Sequence, residues 1–269
     1  MFMIIYLNDK SIVEDCMLRF CFVIVVSIPY VILLYMKSSH MDKYTGKYTE
    51  EERYEFAKFI VDKIMKHSFI ETDVYGKENL PKDGGYVMYS NHQGKYDMVG
   101  IMYGHEKPCT VVMDEVRSNL PIMKPFLAVV QGSTLDRSDI KNQAKTMKKL
   151  VQEVNEGRKY VIFPEGGYSN NGNNLGEFKP GSFKISVRTK TPIVPVAIVD
   201  SYVPYSYNSL RKVTTQVHYL KPIEYEEYKN MSTEEIAHMV RDIIEAKVKE
   251  QLSVKKRRAF YDKRIKQVA

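Results

Sequence analysis

Five short apolar runs constrain this chain more than any other feature. They are Tyr86–Ser90 (YVMYS), Cys109–Met113 (CTVVM), Lys159–Phe163 (KYVIF), Ile193–Val199 (IVPVAIV) and Thr214–Leu220 (TTQVHYL). Their length and their β-branched and aromatic content read as strands. Between them lie stretches of helical period. In the clearest, Ile140, Ala144, Met147, Val151 and Val154 recur every three or four residues, with Ser138 as the expected cap and Gly157 as the stop. Strands alternating with helices predict an α/β fold with a mostly parallel sheet flanked by helices. In such a sheet the active loops lie at the carboxyl ends of the strands. Pro195 lacks an N–H for a ladder, which suggests an edge or a bulge for its strand.

The two ends of the chain read differently from this centre. Phe20–Met36 is uncharged and apolar between Arg19 and Lys37. As a helix it reaches about 25 Å, slightly short of a hydrocarbon core, with Pro29 to kink it. A secretory signal, a spanning anchor and a helix lying in one leaflet all fit. No small-residue cleavage site follows, which disfavours the signal. Lys37, Lys43 and Lys47 after the run outweigh Lys10 and Arg19 before it, placing the following domain on the cytoplasmic side. Thr49 and Glu52 have capping-box spacing and open a helix. Its apolar stripe is Phe56, Phe59, Ile60 and Ile64, with Arg53, Lys58, Asp62 and Lys66 opposite. Ser232 and Glu235 open another helix, with Ile236, Val240, Ile243 and Ile244 inward and a basic tail from Lys255. We therefore divide the chain into a membrane-associated helical region (1–68), a core domain (69–225) and a C-terminal helical, basic tail packing on the core (226–269).

A net charge of +7 on 269 residues points to an anionic partner. No nucleic-acid-binding signature appears, so a membrane surface or an acidic carrier fits better. Cys16, Cys21 and Cys109 are too few and too scattered for a disulfide framework and read as buried apolar residues. The six histidines lack metal-ligand spacing, so no metal is expected.

The stretch Asn91–Asp97 (NHQGKYD) carries chemistry. It sets His92 five residues before Asp97. On a regular helix the two would diverge by about 140°, so they meet only if the segment is not fully helical. Gly94 permits that, placing His92 in a strand-to-helix loop and Asp97 in the first helical turn. A neutral imidazole can take a proton from a hydroxyl, while a carboxylate on its other nitrogen fixes the tautomer.

Three further blocks follow in order: Gly132–Ser138 (GSTLDRS), Phe163–Ser169 (FPEGGYS) and Thr191–Ile198 (TPIVPVAI). Together with NHQGKYD they resemble the glycerolipid acyltransferase family, best known for 1-acylglycerol-3-phosphate acyltransferases, over roughly Tyr75 to Tyr225. The resemblance implies transfer of a fatty acyl group from acyl-CoA or an acyl carrier protein thioester to the free hydroxyl of 1-acylglycerol-3-phosphate, a lysophospholipid of the membrane, giving phosphatidate. No other cofactor is implied. His92 would be the base and Asp97 its orienter. Arg137, Glu165, Gly166 and Lys179 would bind substrate, with Arg137 and Lys179 as phosphate cations and Glu165 ordering the acceptor site. Backbone N–H groups after His92 or near Gly166 would stabilise the oxyanion. Three positions depart from the family pattern. Gly167-Tyr168-Ser169 replaces Thr-Arg-Ser, Met113 replaces a Lys, and Gly94 replaces a Ser. They leave another lysolipid acceptor open, and a catalytically inactive lipid-binding protein is the non-enzymatic alternative.

Overall fold

The computed structural model describes residues 17–44, 46–136, 138–168, 171–206 and 209–268. Cys16 and Arg137 lie outside the described residues. The fold is a seven-stranded sheet between two sets of helices. The strands are β1 (Ile70–Tyr75), β2 (Tyr86–Ser90), β3 (Thr110–Asp114), β4 (Ser133–Leu135), β5 (Lys159–Ile162), β6 (Ile193–Val199) and β7 (Val213–Tyr219), in the order β1-β7-β6-β2-β5-β3-β4. Every pairing is parallel except β6 with β7. The mostly parallel sheet expected from the sequence is therefore present, with β2 at its centre. β1 was missed: Glu71, Thr72 and Asp73 make its sequence polar, and it gains its place by pairing with β7 over six residues.

The helices are α1 (Met17–Lys43), α2 (Glu50–His67), α3 (Asp97–Gly104), α4 (Glu115–Ser118), α5 (Met123–Val130), α6 (Ile140–Asn155), α7 (Lys184–Thr189), α8 (Tyr225–Tyr228) and α9 (Thr233–Val268). Strand residues alternate between two cores, as the pleat requires. Met88, Val111, Val161, Val194 and Val196 pack beneath α1, α2, α3 and α5. Val87, Tyr89, Tyr160, Ile193 and Ala197 pack beneath α6, α7 and α9. Burial on both faces is why β2 and β6 read as continuous apolar runs rather than alternating ones.

Several expectations are corrected by packing. β6 is an interior strand, flanked by β2 and β7. Pro195 is tolerated because its N and C=O face the same neighbour, and β7 has already ended opposite it. Only Leu220, beyond β7, donates to the Pro195 carbonyl. The cap of α6 is Asp139, whose Oδ1 accepts from the N–H groups of Lys141 and Asn142, while Ser138 bonds Asp136. On α6 Leu150 and Val154 are buried, and Ala144 faces out. On α9 Ile236, Val240 and Ile244 are buried, but Ile243 is exposed.

The capping box at Thr49 and Glu52 forms as expected. The inward face of α2, however, carries Tyr54, Ala57, Ile60, Val61 and Met65, and Phe59 is exposed. Arg53, expected on the polar face, is buried. It donates to the Met41 carbonyl at 2.9 Å and the Ala128 carbonyl at 3.4 Å. Those carbonyls lie in the last turns of α1 and α5, where unpaired acceptors and the negative helix ends favour a cation. Cys109 is buried and Cys21 half-buried.

Among the described residues, Leu18–Lys43 is the one helix long and apolar enough to cross a membrane. It is longer than the sequence run, at about 40 Å. Arg19, Val23, Ser27, Leu34, Ser38 and Met41 are buried on one side, against α2, α5 and the 203–205 turn. Val25, Ile28, Ile32 and Met36 form an exposed apolar stripe on the other.

Candidate active site

The site lies where β2 and β5 end. β2 stops at Ser90, and the Asn91 side chain continues its ladder. Nδ2 donates to the Ile198 carbonyl at 3.0 Å and Oδ1 accepts from the Ile198 N–H at 2.9 Å. This amide bridge carries the chain off the sheet and sets the position of His92.

Asp97 begins α3, as expected, and its side chain turns back over the loop. Oδ2 lies 2.6 Å from His92 Nδ1 and also accepts the N–H groups of Gln93 and Gly94 at 2.5 and 2.9 Å. The Oδ1 oxygen is buried without a hydrogen-bond partner among the described residues. The Asp97 side chain is fully buried and that of His92 keeps 16% exposure. With Nδ1 donating to the carboxylate, Nε2 carries the lone pair that a substrate proton would meet. The loop therefore brings together the two residues that a helix would have parted.

Glu165 ties the next loop to this one. Its Oε1 accepts the His92 N–H at 2.9 Å and its Oε2 the Gly176 N–H at 3.1 Å. Burial holds its carboxyl above the usual range, and these two hydrogen bonds pull the other way. A side chain at Gly176 would put its Cβ 2.8 Å from Oε2, so the position suits glycine. Gly166 has a φ of 77°, the left-handed turn that lets the chain double back after Pro164. The Lys179 N–H donates to the Pro164 carbonyl at 2.9 Å, which joins the FKPG segment to FPEG; its side chain is exposed. Arg137 lies outside the described residues, so its position relative to His92 is not part of this geometry.

The possible oxyanion donors narrow. The N–H groups of Gln93 and Gly94 are engaged by Asp97, that of Asp97 by the Gly94 carbonyl, and that of Gly166 by the Phe163 carbonyl.

Four residues around His92 take places that sequence reasoning did not assign them. Phe163 stacks on the imidazole at 4.3 Å and Tyr168 meets it edge-on at 4.9 Å. Arg117, from α4, lies over the Tyr168 ring at 5.3 Å. Gln93 locks the loop from behind, donating to Asn173 and the Ile198 carbonyl and accepting the Ser201 N–H. Phe163 and Tyr168 sit inside a block singled out for its glutamate. Arg117 has no sequence signal, because it arrives from a separate strand end.

Comparison with known proteins agrees with this arrangement. Residues 71–199 match the acyltransferase family model, a stretch that holds both members of the His–Asp pair and Glu165. The chain is 31% identical over 179 residues to a 1-acyl-sn-glycerol-3-phosphate acyltransferase of Saccharomyces cerevisiae, covering 64% of this chain and 58% of that protein. It is 27% identical over 186 residues to a chloroplastic enzyme of the same name from Brassica napus, covering 66% of this chain and 52% of the relative. The match thus spans little more than half the length of these relatives. The crystal structure of a 1-acyl-sn-glycerophosphate acyltransferase from Thermotoga maritima shares the fold, with a TM-score of 0.68 at 19% identity over 87% of this chain and 92% of that one. The family model is seated on the very loops that assemble His92, Asp97 and Glu165, so this similarity and the ordered sequence blocks point to one and the same acyltransferase family.

Proposed function

We propose that this protein moves a fatty acyl group from an acyl thioester, on coenzyme A or acyl carrier protein, to the free hydroxyl of 1-acylglycerol-3-phosphate. The observation that carries this reading is the 2.6 Å bond between His92 Nδ1 and a buried Asp97 carboxylate at the carboxyl end of the central strand. His92 Nε2 takes the hydroxyl proton as the oxygen attacks the thioester carbonyl. Asp97 holds the tautomer and stabilises the imidazolium that forms. The tetrahedral intermediate collapses with loss of the thiolate, and the imidazolium returns its proton to that sulfur. The acceptor oxygen is itself the nucleophile, so no acyl-enzyme, metal or further cofactor is needed. Phe163, stacked on the ring, limits its rotation. Arg137 and Lys179 are the proposed phosphate cations, since a doubly charged monoester leaves water only against positive charge.

The acceptor is a membrane lipid, and α1 is the proposed anchor. One of its faces is covered by protein and the other is apolar and exposed. A helix so placed favours insertion into one leaflet over spanning the bilayer, where lipid would surround it. We place the domain on the cytoplasmic side, with basic residues adding attraction to anionic lipid.

The test is a panel of lysolipids with and without a terminal phosphate, offered with acyl-CoA and with acyl carrier protein thioester, reading free thiol and acylated product. Lysophosphatidate should be acylated fastest. Faster acylation of a zwitterionic lysolipid would replace this acceptor with another. Absence of transfer from every pair would leave the inactive lipid-binding alternative.

A further inference from the structure

Arg117 is an exposed residue of α4 whose guanidinium sits over Tyr168, and Tyr168 in turn meets the His92 ring. The guanidinium carbon is 5.3 Å from the Tyr168 ring, within cation–π range, and the two ring distances put it no more than about 10 Å from the imidazole centre. No carboxylate forms an ion pair with it among the described residues. Resting on a ring engages the charge but none of the five N–H donors. An arginine held this way is oriented and still has its fork for a ligand.

Its surroundings point to a lipid phosphate. α4 joins α5 through a loop whose Pro121 carbonyl accepts the hydroxyl of Tyr35, on the apolar helix α1. Val116, beside Arg117, is an apolar side chain left 80% exposed. The rim of the site that carries Arg117 is thus continuous with the helix proposed to meet lipid. An acceptor arriving from that side brings its headgroup past α4 before its hydroxyl reaches His92. In 1-acylglycerol-3-phosphate the reacting hydroxyl is on the carbon next to the one bearing the phosphate. The phosphate must then lie a few ångströms from Nε2, within reach of a long side chain anchored on Tyr168.

We propose that Arg117, seated on Tyr168, is an acceptor-binding residue that recognises the phosphate of an anionic lysolipid. The inference rests on the acyltransferase reading for the reaction and on the ring contacts for the residue. Its function is to select the headgroup, and it takes no part in proton transfer.

The experiment is made in neutral detergent micelles, which carry no bulk surface charge. Lysophosphatidate binding is measured without acyl donor, and acceptor and donor KM are measured with it, for wild type, Arg117→Gln, Arg117→Lys and Tyr168→Leu. Arg117→Gln should weaken lysophosphatidate binding and raise its KM by about tenfold or more, as for loss of one charge-assisted contact, with the donor KM unchanged. Arg117→Lys should recover part of the loss, since it restores charge without the planar fork. Tyr168→Leu removes the ring on which the guanidinium rests and should follow Arg117→Gln in part. Unchanged lysophosphatidate binding by folded Arg117→Gln overturns the proposal. So does an equal loss for a zwitterionic lysolipid, or a loss confined to binding of anionic vesicles, which would make Arg117 a general membrane contact. If wild type binds lysophosphatidate through Arg117 but transfers no acyl group, the reaction assigned above fails while this inference stands.

Discussion

A histidine lies beyond each end of β2, His92 in the loop that follows it and His105 at the end of α3 beside Tyr86, and the two live by opposite rules. At its carboxyl end His92 leans on a carboxylate, keeps an exposed edge and is wrapped by aromatic rings. Near its amino end His105 is wholly buried. Its Nδ1 lies 2.6 Å from the Lys107 carbonyl and its Nε2 2.7 Å from the Tyr86 hydroxyl. Burial pushes the His105 pKa down to about 4, so it stays neutral and structural. The same side chain, set beyond the two ends of one strand, is therefore the proposed base in one place and a bolt in the other, according to what the ends of the sheet supply. The carboxyl end supplies loops, a carboxylate and access; the amino end supplies a closed polar cluster in which Tyr54 also donates to the His105 carbonyl.

Exchange of functions between the two ends is what mutation should fail to produce. His92→Ala should lower kcat by about 10³-fold or more, the scale of a lost general base, with little change in Tm. His105→Ala should do the reverse. It opens a cavity and strands the Tyr86 hydroxyl, costing about 2–4 kcal/mol of stability while each folded molecule keeps its turnover. Paired thermal melts and initial rates check both, and a large rate loss in folded His105→Ala would end the contrast.

Asp97→Asn should come next, with transfer falling by about 10²- to 10³-fold through the wrong tautomer and an unsupported imidazolium. Because the carboxylate also accepts the Gln93 and Gly94 N–H groups, this variant should lose stability as well. Steady-state kinetics beside urea titration separates the two losses.

Acid should find the amino end. Burial holds the pKa of His105 at about 4, below the ordinary imidazole value of about 6.5. As pH falls through this window the unfolded chain takes up a proton that the folded chain refuses. Stability present above pH 6.5 is thus lost progressively toward pH 4, by about 3 kcal/mol for this group. His218, also lowered to about 4 by burial, adds in the same direction. Urea midpoints between pH 7.5 and 4.5 should fall, and less steeply in His105→Ala. An equal fall in both would assign the acid sensitivity elsewhere.

The smallest effect expected is at Glu165. Glu165→Gln keeps one acceptor oxygen and sets an NH2 group against a backbone N–H, costing about 1–2 kcal/mol. Transfer should drop modestly through looser placement of His92. If kcat fell as far as in His92→Ala, Glu165 would act on the reacting atoms themselves.

Much of this architecture was legible in the chain. The strands flanking the site, the box at Thr49 and Glu52, and the His92–Asp97 pairing follow from local pattern, because backbone pleat, helix caps and a glycine-loosened loop act over a few residues. The order of four blocks did the rest, since chain order survives where distances are unknown. Long-range choices were not legible. Nothing near Arg53 announces that it will fill the ends of two other helices, nor does Pro195 announce a neighbour strand that stops one residue short. Which face of α2 and α6 turns inward shifted by a position or two, while α9 keeps its expected face but for Ile243, because partners, and not periodicity alone, fix the rotation of a helix.

What the sequence by itself determined was an alternation of strands and helices and a histidine five residues from an aspartate. The tertiary structure alone decided what surrounds that histidine. Phe163, Tyr168 and Arg117 converge on it from the loop after β5 and the helix after β3, and β2 receives them because it lies between β5 and β6. The physical reason is that local pattern reports which face of a segment is apolar, whereas adjacency in a sheet is settled by the packing of the whole chain.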